Sequence, residues 1–92
     1  MAVMVKWLAH ASFQISGNGK VVYVDLEEYG KPVDKADLVL VTHSHTDHCD
    51  PAKIKHIRKD GTVVIAPADC ASKIGGTVKT LRPGEETIVY GI

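Results

Sequence analysis

Apolar residues are distributed along this chain in short runs separated by glycine, proline and charge. From Val3 to Ile15 the stretch VMVKWLAHASFQI is rich in β-branched and aromatic residues, and Gly17-Asn18-Gly19 supplies a turn that permits positive φ. With KVVYVDLE (Lys20 to Glu27) behind it, this predicts a hairpin. The second arm is continuously apolar before Asp25, as in a strand covered on both faces. Gly30 and Pro32 open a loop, and residues 37–42, DLVLVT, read as another buried strand. Asp50-Pro51 has the form of an N-cap followed by proline at the first helical position. Ile54 and Ile57 share one face of that helix, with Lys53, Lys55, Arg58 and Lys59 elsewhere and Asp60-Gly61 ending it. TVVIA (Thr62 to Ala66) is a further buried strand, and PADCASKIGG holds one helical turn or two. TVKTL and ETIVYGI read as strands on either side of a turn at Pro83-Gly84. Strands and helices alternate in the middle of the chain and hairpins flank it, which predicts a mixed α/β layer arrangement.

Size and charge narrow the picture. Ninety-two residues make a single domain, 1–92, and a chain of this length buries only roughly 60 to 65% of the surface its unfolded form exposes. Eleven Lys+Arg balance eleven Asp+Glu, so bulk electrostatics favours neither nucleic acid nor an anionic membrane. Two cysteines, Cys49 and Cys70, are too few for a disulfide framework. With no apolar leader or spanning run, the expected setting is soluble, reducing and cytoplasmic.

The chemistry is concentrated in VTHSHTDHCDP, residues 41–51, where a strand runs directly into three histidines and two aspartates. A divalent transition metal at neutral pH takes imidazole nitrogen and carboxylate oxygen, and a catalytic zinc keeps one position open for water. His43 and His45 can converge on one ion where the chain leaves the strand in a tight loop. Asp47 and His48 are adjacent and project differently, so two sets of ligands suggest two metals.

T-H-x-H-x-D-H after an apolar strand resembles the signature of the metallo-β-lactamase superfamily of metal-dependent hydrolases. Asp50, W-L-A-H-A-S-F at Trp7 to Phe13 and V-D-L at Val24 to Leu26 are similar to the branch of ascorbate-6-phosphate lactonase-like and N-acyl-phosphatidylethanolamine phospholipase-like enzymes. The resemblance implies an αββα sandwich in which His43 and His45 serve one metal and Asp47 and His48 the second. A metal-bridging hydroxide then attacks an ester, lactone or phosphodiester, and Asp47 doubles as a catalytic residue that helps hold the nucleophile. Zinc is the first expectation, with manganese or iron as alternatives, and a small molecule is the expected substrate. Asp25 matches the family's early aspartate, which can orient a ligand imidazole, or else caps a turn. His10 lines the site or packs on its strand. Cys49 reads as a small core residue, His56 as helix surface, and Cys70 carries no signal.

A complete member of that family resembles two βα halves, the second contributing further histidine and aspartate ligands that are not found here after His48. The expectation is therefore half of a sandwich, a mixed sheet with one or two helices. It is completed by a missing C-terminal half or by pairing with a second copy as a homodimer, the commonest symmetric solution for apolar strands needing cover. The competing expectation is a metal-binding half-domain that dimerises and catalyses little or nothing.

Overall fold

The computed structural model describes residues 3–9, 11–26, 32, 34–42 and 51–89. These form one six-stranded sheet in sequential order, with strands β1 (Met4–Ala9), β2 (Ser12–Gly17), β3 (Lys20–Val24), β4 (Leu38–Leu40), β5 (Val63–Ala66) and β6 (Val78–Thr80). Helix α1 (Pro51–Ile57) joins β4 to β5, and α2 (Ala68–Ile74) joins β5 to β6. The first three strands pair antiparallel and the last three continue the sheet in parallel. The α/β mixed sheet with two helices agrees with the expected half-sandwich.

Two stretches depart from the sequence reading. The run from Val3 to Ile15 is two strands, β1 and β2, with Trp7 opposite Phe13 and Ala9 opposite Ser12 across an irregularity in the pairing. The reversal falls at residues without glycine, asparagine or proline, so no turn signal marked it. The turn at Asn18 and Gly19, both at positive φ, is where the sequence put it. The second departure is at the end of the chain, where residues 86–89 form no strand. Val89 instead packs with Leu81 against Val22, Leu38 and Ile65 on one face of the sheet. The remaining residues of ETIVYGI, 90–92, lie outside the described ones.

Register assigns each side chain to a face. Gln14, Tyr23, Val39, Val64 and Val78 form one row across β2 to β6. This is the helix face, because a sequential order of parallel strands brings both crossover helices to the same side. There Ile54 and Ile57 of α1 and Cys70 of α2 are fully buried with Tyr23, Val39 and Val64, and each fully buried isoleucine contributes about 1.5–3 kcal/mol. Arg58 ties the helical layer together, donating to the carbonyls of Gly75 and Thr77 at 3.1 and 2.6 Å. Gly76, at positive φ, lies so close to that guanidinium that a Cβ would meet it at 3.1 Å. On the opposite face two rows run Val5–Ile15–Val22–Leu38–Val63 and Trp7–Phe13–Val24–Leu40–Ile65. The β5 side of this face carries Leu81 and Val89, whereas Val5 and Trp7 at the β1 edge are 64% and 67% exposed.

Asp37 sets the parallel register just before β4. Its backbone N–H donates to the Val21 carbonyl at 2.9 Å, and its carboxylate accepts the Val21 N–H at 2.8 Å. That second bond, with the Lys59 ammonium at 3.1 Å, holds the Asp37 carboxyl below its ordinary value of 3.8. A carboxyl depressed by folding stabilises the fold above its unfolded pKa, and the contribution is lost as pH falls through the folded value. Asp37→Ala is therefore expected to cost about 1.5–3 kcal/mol at neutral pH. In urea titrations its deficit against the unsubstituted chain should narrow below about pH 3.8. A deficit constant into strong acid would contradict this assignment.

Candidate metal centre

The parallel strands β3, β4 and β5 all point their C-terminal ends at one edge of the sheet, the end where ligands bind in open α/β sheets. At that edge the chain leaves β4 through Val41 and Thr42 and re-enters described structure at Pro51, the first residue of α1. The eight residues between carry the motif, so both of its ends are anchored. The Val41 N–H donates to the Ile65 carbonyl at 2.9 Å, extending the β4–β5 ladder to the threshold of the motif. Ile54 and Ile57 sink the helix that follows into the core.

Asp25 fixes the exit. It follows the last residue of β3, adopts φ 52 and is only 4% exposed. This left-handed conformation is one that aspartate tolerates better than most side chains. Its backbone N–H donates to the Leu40 carbonyl at 2.8 Å. Its carboxylate accepts the Thr42 N–H at 2.7 Å on Oδ1 and the Thr42 hydroxyl at 2.8 Å on Oδ2. One buried carboxylate thus holds both the backbone and the side chain of the residue immediately before His43. Among the described residues its grip is on the strand exit, and the imidazole contact that the resemblance implied falls on residues outside the described ones.

Ser12 is the second buried polar group at this edge. Phe13 pairs with Val24 in antiparallel register, so Ser12 and Asp25, one residue further on each strand, stand at the same end of the sheet. Ser12 is fully buried, and its hydroxyl has no hydrogen-bond partner among the described residues. It lies inside the W-L-A-H-A-S-F stretch that the sequence reading singled out, but no role was assigned to it there.

His10, His43, His45, Asp47 and His48 lie outside the described residues, as does Cys49. Among the described residues no group of three His, Cys, Asp or Glu side chains is placed to hold a metal. His56 is an exposed residue of α1, in keeping with its reading as helix surface. Cys70 is fully buried in the helix-face core and is disulfide-bonded. That bond was not anticipated by the sequence reading, which took two cysteines as too few for a disulfide framework. Two cysteines without a spacing motif gave no signal for it. Among the described residues no helix is long and apolar enough to cross a membrane.

Beside Thr42 a cleft of about 470 Å³ opens at the ends of β4 and β5, floored by Leu40, Ile65, Pro67 and Leu81. Arg82 and Glu85 stand at its rim. The Glu85 carboxylate accepts the Arg82 backbone N–H at 2.7 Å and lies 3.5 Å from Arg82 Nε. An apolar floor with one charged pair at the mouth suits a small molecule that carries both an apolar part and a polar group.

Comparison with known proteins agrees with this geometry. Residues 4–92 match the family described as the Beta-lactamase superfamily domain. A UPF0173 metal-dependent hydrolase of Thermococcus kodakarensis is 39% identical over 78% of this chain and 34% of its own length. One of Pyrococcus abyssi is 36% identical over 94% of the chain and 39% of its own length. The crystal structure of a putative metal-dependent hydrolase from Parabacteroides distasonis superposes with a TM-score of 0.83 at 31% identity, covering 90% of this chain and 39% of that one. The chain spans between a third and two fifths of the length of these relatives, and it belongs to the β-lactamase superfamily.

Proposed function

We propose that this chain is a metal-dependent hydrolase module that activates water for attack on an ester, a lactone or a phosphodiester. The observation that carries the reading is the grip of Asp25 on Thr42. It spends a buried carboxylate and a left-handed backbone on fixing the one residue that leads into the H-S-H-T-D-H run. In this reading His43 and His45 hold one divalent ion, Asp47 and His48 hold a second, and zinc is favoured over manganese or iron. The donor set of three imidazoles and a carboxylate is of the right chemistry for such ions. A bound ion supplies Lewis acidity that brings the pKa of water to roughly 7. The residues of the chain do the rest. Asp25 and Thr42 set where the imidazoles leave the sheet, Asp47 orients the nucleophile, and the cleft between Leu40 and Arg82 receives the body of a small-molecule substrate.

Four candidate ligands per chain are few for two ions, and the same reading assigns the remainder to a second copy. The open side of the sheet supports this choice. Its rows Val5–Ile15 and Trp7–Phe13 carry no charge to desolvate, and a chain of zero net charge does not repel its copy. The exposed apolar surface there is on the order of several hundred Å², in the range that marks an interaction site. Turnover of a chromogenic phosphodiester or lactone, followed across a dilution series with excess metal, tests the reading. Activity should be weak, should require metal, and should fall with the dimer on dilution. No metal-dependent turnover at any concentration would refute a catalytic role. Constant specific activity down to the monomer would show that one chain carries a complete site.

A further inference from the structure

We infer that the pocket between α1 and the end of α2 is a binding site for a small organic phosphate, whose charge is met by Lys55 and Arg58. The sequence itself lays out one wall. Ala52, Lys55 and Arg58 follow one another at intervals of three, which keeps them on one side of α1 and of the chain that leaves it. Opposite them Ile74 ends α2, and Gly75 and Gly76 follow at positive φ, so no side chain narrows the space there. Between the two walls lies a cavity of about 450 Å³, which Pro51 also lines.

Charge decides what fits. Two of the lining side chains are cationic and, among the described residues, none is acidic, although the chain as a whole carries no net charge. The Arg58 guanidinium is held in place by its bonds to the carbonyls of Gly75 at 3.1 Å and Thr77 at 2.6 Å, and these occupy only part of its fork of N–H donors. A guanidinium fixed in this way loses little freedom when it meets an anion. Lys55 is exposed and makes no ion pair with an acidic group among the described residues, so the fold asks nothing of its charge. Two positive charges without a counter-charge match a dianion, and a planar fork beside a point charge is how side chains hold phosphate oxygens. Pro51, Ala52 and Ile74 add apolar surface for the body that carries the phosphate. This pocket shares no lining residue with the cleft beside Thr42, so the inference does not rest on the metal-binding reading.

Phenylphosphonate is the probe, because at mildly alkaline pH it is a dianion on an apolar ring and has no ester bond to hydrolyse. Titrated into the purified chain and followed by NMR, it should give saturable shifts at the amides of Ala52, Lys55, Gly75 and Gly76 and at the Arg58 guanidinium. A Kd on the order of 1 mM is expected for a ligand of this size. Benzyl alcohol keeps the ring without the charge and should give no saturable shift. Lys55→Gln removes one charge from an exposed side chain and should weaken phenylphosphonate by about tenfold, the loss expected for one charge-assisted hydrogen bond. Lys53→Gln makes the same change on the same helix but outside the lining, and should leave the Kd within about twofold. Three results would overturn the inference: no saturable shift at these groups, an equal loss in the two variants, or shifts centred on Thr42, Leu81 and Gly84, which would put the anion in the cleft instead.

Discussion

Asp25→Ala is expected to produce the largest loss of stability of any single substitution at the strand ends, and to weaken metal binding with it. The carboxylate is buried and accepts two hydrogen bonds from Thr42. Removing it takes away the acceptor of the Thr42 N–H and hydroxyl at the exit of β4. Hydrogen bonds to a charged acceptor contribute about 1.5–3 kcal/mol each, and alanine at φ 52 adds roughly 1 kcal/mol of backbone strain that aspartate lessens. Thr42 is itself exposed, so water recovers part of the loss. A net cost of about 2–4 kcal/mol follows from these magnitudes. Because the freed residue adjoins His43, zinc affinity should fall by about 10- to 100-fold as well. Asp25→Asn separates the effects. Asparagine accepts the left-handed backbone and keeps one acceptor oxygen, so it should retain more stability than alanine while still binding zinc less tightly. Chemical denaturation and chelator competition on the two variants check this, and an Asp25→Ala chain with unaltered affinity would mean that the strand exit does not position the motif.

The second large effect concerns the motif itself. Adding zinc to the unsubstituted chain should raise its melting temperature, because a ligand bound only by the folded state stabilises it by RT ln(1 + [L]/Kd), about 4 kcal/mol at a thousandfold excess over Kd. In the double variant His43→Ala with His45→Ala that rise should disappear. The metal-free melting temperature should change little, since among the described residues the buried core is led by Tyr23, Val39, Ile54, Ile57 and Val64. If the double variant gains as much on zinc addition as the unsubstituted chain, the ion is held elsewhere and the assignment to these histidines is wrong.

What the sequence revealed and what it concealed divide along a physical line. Runs whose apolar residues face a covered surface were legible: Val21 to Val24, Leu38 to Leu40 and Val63 to Ala66 became strands, and Ile54 with Ile57 turned a helix toward them. Pro51 opens α1 as its fixed φ and missing N–H dictate. The reversal between Ala9 and Ser12 was hidden because its turn uses none of the residues that punctuate a chain. Glu86 to Val89 has the composition of a strand, yet Val89 packs on the sheet face instead of extending an edge, and Ile88 stays exposed. At the site, the motif was legible because imidazole spacing is a local signal. Its supports were not: the Asp25 bond to Thr42 spans 17 positions. The burial of Ser12 depends on packing that no window of neighbouring residues encodes.

The most direct test is the metal content of the purified chain after equilibration with excess zinc and removal of free ion, set beside the His43→Ala, His45→Ala double variant. The account predicts on the order of one or two ions retained per chain, as the two proposed ligand sets imply, and loss of most of that metal from the variant. A folded chain that retains no zinc, manganese or iron, or a variant that keeps as much as its parent, would contradict it.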